Sequence, residues 1–211
     1  MTILLSNQRA LVANITFQSE YNVKYETNKP NYSFSSTFAT NKSSMYTKVS
    51  VSTIYYCSLE RAFKTPMLID VSRVHTGMGV MPAITHSSDD EGWGVPGSTK
   101  KVYAAKSIAS KAGYASMDKV LERIENEYWK IEVSDFQSWM LGFFKFEGEW
   151  RTTELSPNTI QIDYTYRQYF KMPFLYPLNW MFTNLFWKKY MKQVLENIRI
   201  IAESDEPIPN K

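Results

Sequence analysis

Residues that carry the common enzyme and metal chemistries are scarce in this sequence. Its single cysteine, Cys57, excludes an internal disulfide and any pair of cysteine metal ligands. Its two histidines, His75 and His86, do not form the H-E-x-x-H pattern of a zinc protease. Only eight glycines occur, and none belongs to a G-x-G-x-x-G or G-x-x-x-x-G-K-[ST] phosphate-binding loop. We therefore expect neither a metal nor a cofactor.

An excess of charge of one sign and a long hydrophobic run are also missing. The 24 lysines and arginines nearly balance the 21 aspartates and glutamates, so the chain offers no strong field for a nucleic acid. The most apolar segment, residues 170–186, is interrupted by Lys171, Pro173, Pro177 and Asn184, and is not a clean span of about 20 apolar residues. The apolar run at the N-terminus is too short for a secretory signal. These features predict no nucleic-acid partner, no stable membrane insertion and a cytoplasmic location.

Apolar and aromatic side chains, in contrast, are abundant. Hydrophobic residues make up 44% of the chain and aromatic residues 15%, which is typical of a folded globular protein. A length of 211 residues suits one domain, with or without an appendage. Residues 1–47 are rich in Ser, Thr and Asn, and we predict either a flexible extension or a loose hairpin added to a domain of residues 48–211. The sequence does not indicate the oligomeric state.

Apolar and polar residues alternate in four segments, which predicts strands. The segments are residues 49–54, 129–133, 144–152 and 160–166. A short turn at residues 156–158 joins the last two, and indicates neighbouring antiparallel strands with one apolar and one solvated face.

Residues 115–125 are ambiguous. The apolar residues Met117, Val120, Leu121, Ile124 and Tyr128 follow the three-and-four spacing of a helix, so periodicity alone slightly favours a helix there.

The chain then ends in a predicted helix from Pro177 to about Glu203. At about 1.5 Å per residue this helix is roughly 40 Å long, and it needs a whole curved sheet to cover its apolar face. That face is an apolar stripe of Trp180, Trp187, Met191, Val194, Ile198 and Ile201. Strands followed by one long helix predict an α+β fold. The lysines of the same helix, Lys188, Lys189 and Lys192, suit a solvated face, with contact to an anionic membrane surface as the alternative.

This order of elements resembles the START-like superfamily, also called SRPBCC or the Bet v 1-like helix-grip fold. Residues 49–54 followed by Glu60, Ala62 and Phe63 look like the opening strand and its E-x-[AV]-F helix. Residues 93–100 are similar to the loop-to-strand passage of polyketide-cyclase-like members. Residues 146–150 and 160–164 look like the last two strands. The resemblance covers residues 48–203 and implies a curved antiparallel β-sheet wrapped around a long C-terminal helix, with a strand at residues 115–125.

The resemblance also implies a cavity between the sheet and the helix. Cavities that bind small molecules are mostly apolar and carry a few polar groups. The inward-facing set would then be Trp129, Ile131, Phe146, Trp150, Tyr164 and Tyr166 from strands, with Trp180, Met181, Asn184 and Leu185 from the helix. Alternatively, these side chains simply fill the core. A buried Asn184 amide would need a hydrogen-bond partner, which a ligand could supply.

Three functions remain open at this point. The first is binding of a hydrophobic or aromatic small molecule, lipid-like or polyketide-like, without covalent chemistry. The second is an enzyme of the cyclase or dehydratase type that uses the same cavity, with tyrosines and His86 as acid–base groups. His75 and His86 have no acidic partner at a fixed local spacing, however, and an exposed loop position is the alternative for both. The third is a protein-interaction module with a closed core.

Overall fold

The computed structural model of the protein describes residues 45–88, 92–108, 110–138 and 140–208. The predictions made for residues 1–44 lie outside these ranges. The first strand begins at Met45, three residues before the position at which the alternation of the sequence becomes clear.

Seven antiparallel strands form one curved sheet. They are β1 (Met45–Tyr55), β2 (Ile84–Ser87), β3 (Thr99–Ala104), β4 (Gly113–Ile124), β5 (Tyr128–Ser134), β6 (Phe143–Ser156) and β7 (Thr159–Phe170). Their order in the sheet is β1-β7-β6-β5-β4-β3-β2. The predicted hairpin of β6 and β7 is confirmed, and it turns at Asn158, whose φ of 60° lies in the left-handed region that asparagine tolerates.

The ambiguous segment is strand β4, as the family resemblance implies, and the helical alternative is wrong. Ser116, Asp118 and Val120 alternate as the buried side of β4. Met117 and Leu121 are half-buried on its other side. The helix-like spacing thus arose from apolar residues that lie on both faces of one strand.

Two short helices follow β1. Helix α1 (Leu59–Leu68) begins where the Ser58 hydroxyl accepts a hydrogen bond from the Arg61 backbone N–H, at 3.3 Å. Helix α2 (Val71–Val74) begins with a similar cap from Asp70 to the Ser72 N–H, at 2.9 Å. Both helices pack between the sheet and the C-terminal helix.

The predicted long C-terminal helix is confirmed. It consists of α3 (Tyr176–Met181), a π-helical segment (Phe182–Trp187) and α4 (Lys188–Ala202). The buried face of α4 packs on the sheet and on α1, and carries Tyr190, Met191, Val194, Leu195, Ile198 and Ile201. The Tyr55 hydroxyl donates a hydrogen bond to the Leu195 carbonyl at 2.7 Å, which ties β1 to α4.

The assignment of Trp180 to the buried stripe is wrong, because its side chain is 51% exposed. A π-helix has more residues per turn than an α-helix, so the π segment rotates α3 relative to the apolar face of α4. As a result, Asn179 and Thr183 occupy the inner side of the helix before Trp187.

Candidate functional site

A cavity of about 990 Å³ lies between the sheet and the helical layer. This volume is at the upper end of the range of about 300–1,000 Å³ typical of small-molecule sites. The aromatic and aliphatic part of its wall comes from the inner face of β5 to β7 and from the C-terminal helix, and includes Trp129, Ile131, Val133, Phe146, Tyr164, Tyr166, Phe182, Trp187, Tyr190, Val194 and Ile198.

Five residues of the predicted inward-facing set line this cavity: Trp129 and Ile131 on β5, Phe146 on β6, and Tyr164 and Tyr166 on β7. The alternation of each strand directs their side chains to the inner face. The four aromatic residues among them are at most 5% exposed.

Trp150 lies behind the cavity wall. It is fully buried and stacks on Trp129 with ring centroids 5.7 Å apart and an interplanar angle of 9°. It also meets the Tyr164 ring edge-on at 5.2 Å. Trp150 therefore supports two rings of the wall without lining the cavity.

The prediction that Trp180, Met181, Asn184 and Leu185 face the cavity is corrected. Trp180, Met181 and Leu185 are exposed. The Asn184 side chain is half-buried and donates to the Trp180 carbonyl at 2.9 Å, so its partner is its own helix. The rotation caused by the π segment brings Phe182 and Trp187 to the wall in their place.

A group of polar side chains interrupts the apolar wall, and we call it the polar cluster: His75, Lys100, Asp118, Tyr164, Tyr166 and Tyr190. The Tyr164 hydroxyl donates to the Tyr166 hydroxyl at 2.8 Å. The His75 Nδ1 atom lies 2.9 Å from the Tyr190 hydroxyl.

Lys100 and Asp118 place two opposite charges on the wall. They are directly opposite each other on β3 and β4 and are both less than 10% exposed. Burial raises the pKa of Asp118 to about 6, and the positive charge of Lys100 opposes this shift. A carboxyl group with this pKa can exchange a proton near neutral pH.

The remaining members of the polar cluster are held in their neutral forms. Burial raises the pKa of Tyr164, Tyr166 and Tyr190 above the ordinary value for tyrosine, and the charge of Asp118 adds to this for Tyr164 and Tyr166. Burial, with the charge of Lys100, lowers the pKa of His75 to about 4. At neutral pH the cluster therefore presents hydroxyl and imidazole groups beside Lys100 and Asp118.

Searches with protein-family models and against curated protein sequences give no match to this chain. Solved structures do match its fold. Ara h 8.0201 covers 75% of this chain and 98% of its own, with a TM-score of 0.53 at 16% identity. Norcoclaurine synthase from Thalictrum flavum was solved in complex with dopamine and hydroxybenzaldehyde. Its match spans 78% of this chain and 91% of the synthase chain, with a TM-score of 0.55 at 9% identity. The match to a conserved protein from Geobacillus kaustophilus spans 74% of this chain and 95% of that protein's chain, with a TM-score of 0.53 at 14% identity.

The chain has the Bet v 1-like helix-grip fold. The sequence resemblance implied a cavity between the sheet and the C-terminal helix, and both elements contribute to the wall of the cavity in the structure. Among the described residues, no three His, Cys, Asp or Glu side chains are grouped so as to hold a metal ion. No helix within the described ranges has the length and hydropathy needed to span a membrane.

The sequence-based reasoning missed several residues of the helix-grip cavity. Lys100 shares the inward phase of Val102 and Ala104 on β3, and Asp118 shares that of Val120 on β4. Charged residues in the inward phase of a strand were therefore a usable signal.

His75 and Tyr190 gave no such signal in the sequence, because packing of separate elements brings them together. His86 does not line the cavity. It is exposed on β2 and stacks on Tyr103 at 4.4 Å.

Proposed function

We propose that this protein binds a hydrophobic or aromatic small molecule, lipid-like or polyketide-like, in the cavity of the helix-grip fold. The observation that carries the proposal is a cavity of about 990 Å³ with many aromatic and aliphatic side chains in its wall. Such a space accommodates a drug-sized or larger apolar molecule. The complex of norcoclaurine synthase with dopamine and hydroxybenzaldehyde supports the proposal that a cavity in this fold holds small aromatic molecules.

The polar cluster supplies the specificity in this proposal. Hydroxyl groups and a carboxyl group in an apolar wall favour a ligand whose own hydroxyl or carbonyl group can pair with them. Burial disfavours the charged form of Asp118, and a ligand hydroxyl group that donates to this carboxylate would offset part of that cost. We therefore propose a ligand with a large apolar body and one polar end, the polar end lying between β3, β4 and Tyr166.

A neutral fluorescent probe, N-phenyl-1-naphthylamine, tests the proposal with the full chain. We expect saturable binding with a stoichiometry of one, and we expect the Val102→Trp variant to weaken it at least tenfold. Val102 lines the cavity, so the indole would occupy the proposed ligand space. Native mass spectrometry of the purified protein should in addition detect a co-purified apolar molecule.

The matched control is Lys101→Trp. Lys101 is the neighbouring residue of β3, but its side chain is exposed on the opposite face of the sheet. The same indole at that position should leave probe binding unchanged. The proposal fails if the wild-type chain does not bind the probe, or if both variants bind it equally well.

The enzyme hypothesis keeps one specific observation in its favour. Asp118 combines a raised pKa of about 6 with a position on the cavity wall beside Lys100, as general acid–base catalysis requires. A cyclase or dehydratase would lose turnover in Asp118→Asn while its affinity for the naphthylamine probe stayed within about threefold. Product formation from phenolic aldehydes and aromatic amines, followed by mass spectrometry, would distinguish this enzyme from a binding protein. The closed-core interaction module has less support, because the core contains a large cavity.

A further inference from the structure

The first half of the C-terminal helix and the turn just before it (Pro173–Leu175) carry an unusual concentration of exposed apolar side chains. We call this surface the docking face: Phe174, Tyr176, Leu178, Trp180, Met181, Leu185 and Phe186. Phe174 is 75% exposed, Leu185 59% and Trp180 51%. Leu178 and Met181 are three residues apart on α3 and share one side of it, and Leu185 and Phe186 follow in the π segment. Contiguous exposed apolar surface of this kind marks an interaction site.

The charged residues that flank the docking face along the chain are positive. Between Asp163 and Glu196 the chain contains no acidic residue. Lys171 precedes the docking face, and Lys188, Lys189 and Lys192 follow it on α4, where all three are exposed. Aromatic and aliphatic residues flanked by lysines are the composition of helices that lie in the interface of a membrane.

We propose that the docking face binds the surface of an anionic lipid bilayer. The apolar side chains enter the boundary between headgroups and acyl chains, and the lysines contact the negative headgroups. Trp180 and Tyr176 suit this position because an aromatic ring with a polar end is favourable at the level of the headgroups. The α3 helix and the π segment together contain 12 residues in two runs of six and lie along the surface in this arrangement.

Charge complementarity favours a bilayer over two other occupants. A second copy of this chain would oppose the same four lysines, and like charges repel. Residues 1–44 contain four basic residues and only two acidic ones, so this segment also has the wrong sign. An anionic bilayer can bury the apolar side chains of the docking face and at the same time pair its headgroups with the flanking lysines.

The docking face is connected to the wall of the cavity. The Phe186 ring stacks on Phe182 with centroids 6.3 Å apart, and Phe182 lines the cavity. Gly142 lies close to Leu175 and Met172, which precede α3, and its neighbour Leu141 also lines the cavity. A bilayer on the docking face would therefore lie beside this end of the cavity. Binding to the bilayer does not depend on what occupies the cavity.

Vesicle co-sedimentation of the full chain tests the electrostatic part. We expect binding to phosphatidylcholine vesicles that contain about one-third phosphatidylserine, and at least tenfold weaker binding to phosphatidylcholine alone. The Lys188→Gln/Lys189→Gln/Lys192→Gln variant should lose at least tenfold in affinity, since each lysine near an anionic surface strengthens binding about fivefold. High salt should also weaken the binding of the wild type to anionic vesicles, because it screens the attraction between the lysines and the headgroups.

The matched control for charge is Lys101→Gln/Lys119→Gln. Both lysines are exposed on β3 and β4, far along the sheet from β1 and β7. This variant should bind anionic vesicles within about twofold of the wild type. Circular dichroism of each variant confirms that it is folded, and none of the substituted side chains is buried.

Tryptophan quenching tests the apolar part. Acyl chains carrying bromine quench a tryptophan that enters the bilayer, and we expect quenching of the wild-type chain that is largely lost in Trp180→Phe. Leu185→Ser should weaken binding severalfold without altering the fold. The proposal is overturned if the wild type does not bind anionic vesicles, if the triple lysine variant binds as well as the control, or if Trp180→Phe is quenched as strongly as the wild type.

Discussion

The Tyr166 ring lies directly against the backbone of Gly148, its partner on the neighbouring strand. A Cβ atom at Gly148 would be 3.0 Å from Cζ of Tyr166 and 3.2 Å from its hydroxyl oxygen. The absence of a side chain at Gly148 thus makes room for the ring. This arrangement holds the Tyr166 hydroxyl 2.8 Å from that of Tyr164, at the centre of the polar cluster.

Gly148→Ala should therefore destabilise the protein. The added methyl group meets a ring held by neighbours, and overpacking of this kind costs about 1–3 kcal/mol. Urea denaturation measures the loss. In a Tyr166→Ala background the same substitution should become neutral or stabilising, because Ala is otherwise preferred to Gly in a strand by up to about 1 kcal/mol. An equal loss in both backgrounds would show that Tyr166 is not the group that requires Gly148.

Asp118 should make stability fall as pH rises from about 4 to about 6. Its folded pKa of about 6 exceeds the unfolded value of 3.8, so the folded state binds more protons between these two values. At about 1.4 kcal/mol per unit, the loss is up to roughly 3 kcal/mol. Urea denaturation at a series of pH values should show the free energy of unfolding of Asp118→Asn rising relative to that of the wild type from about pH 4 to about pH 6. Above pH 6 the difference should stay constant.

His75 should give the opposite slope. Its folded pKa of about 4 lies below the unfolded value of 6.5, so the unfolded state binds more protons between these two values. The free energy of unfolding is therefore highest above pH 6.5 and falls as the pH is lowered toward 4. Relative to His75→Asn, the wild type should lose stability with falling pH. The stability differences of His75→Asn and Asp118→Asn from the wild type should change with pH in opposite directions. If both changed in the same direction, at least one of the two pKa shifts would be wrong.

Arg61 should stabilise the end of the C-terminal helix. Its Nε atom donates to the Ala202 carbonyl at 2.8 Å, and Nη2 donates to the Ile201 carbonyl at 3.0 Å. The last carbonyl groups of a helix lack the usual N–H donor four residues on, and a positive charge at a helix C-terminus is favourable. The Ile201 carbonyl also accepts a hydrogen bond from the Ser204 hydroxyl at 2.8 Å. Arg61→Met should cost about 2–3 kcal/mol in thermal or urea unfolding. Arg73→Met, which removes an exposed ion pair with Glu206, should cost less than about 1 kcal/mol.

Trp150 and Trp180 should behave in opposite ways on truncation. Trp150 is fully buried against Trp129 and Tyr164, so Trp150→Ala should cost about 3–5 kcal/mol. Trp180 is half-exposed, and Trp180→Ala should change stability by no more than about 0.5 kcal/mol. Denaturant midpoints of the two variants check this directly. A loss above about 2 kcal/mol in Trp180→Ala would contradict the exposed position of that ring.

The strand part of the candidate site was predictable because side chains alternate with a period of two. This rule placed Trp129, Phe146, Tyr164 and Tyr166 on the apolar faces of their strands, and the family resemblance assigned those faces to a cavity, which these four residues line. It also directed Trp150 to that face but could not say how far along β6 the cavity extends. The same rule applied to Lys100 and Asp118 would have revealed two charges on the inner face.

The helical part of the site was predicted less well. A constant 3.6-residue period over the whole C-terminal helix turns Trp180 inward, whereas the π segment at residues 182–187 interrupts this period. Because of this one irregular turn, Trp180, Met181 and Leu185 lie on the docking face, whereas the regular period would have directed them toward the cavity. Nothing in the local pattern of the sequence indicates this turn.

The sequence by itself determined the α+β architecture, the antiparallel strands and the long terminal helix, because alternation and amphipathic periodicity are properties of local chain geometry. Only the tertiary structure decided that Trp180 is exposed and that His75 meets Tyr190. It also decided that a cavity of about 990 Å³ remains between sheet and helix. Each of these depends on the distance between elements remote in the chain, which packing sets.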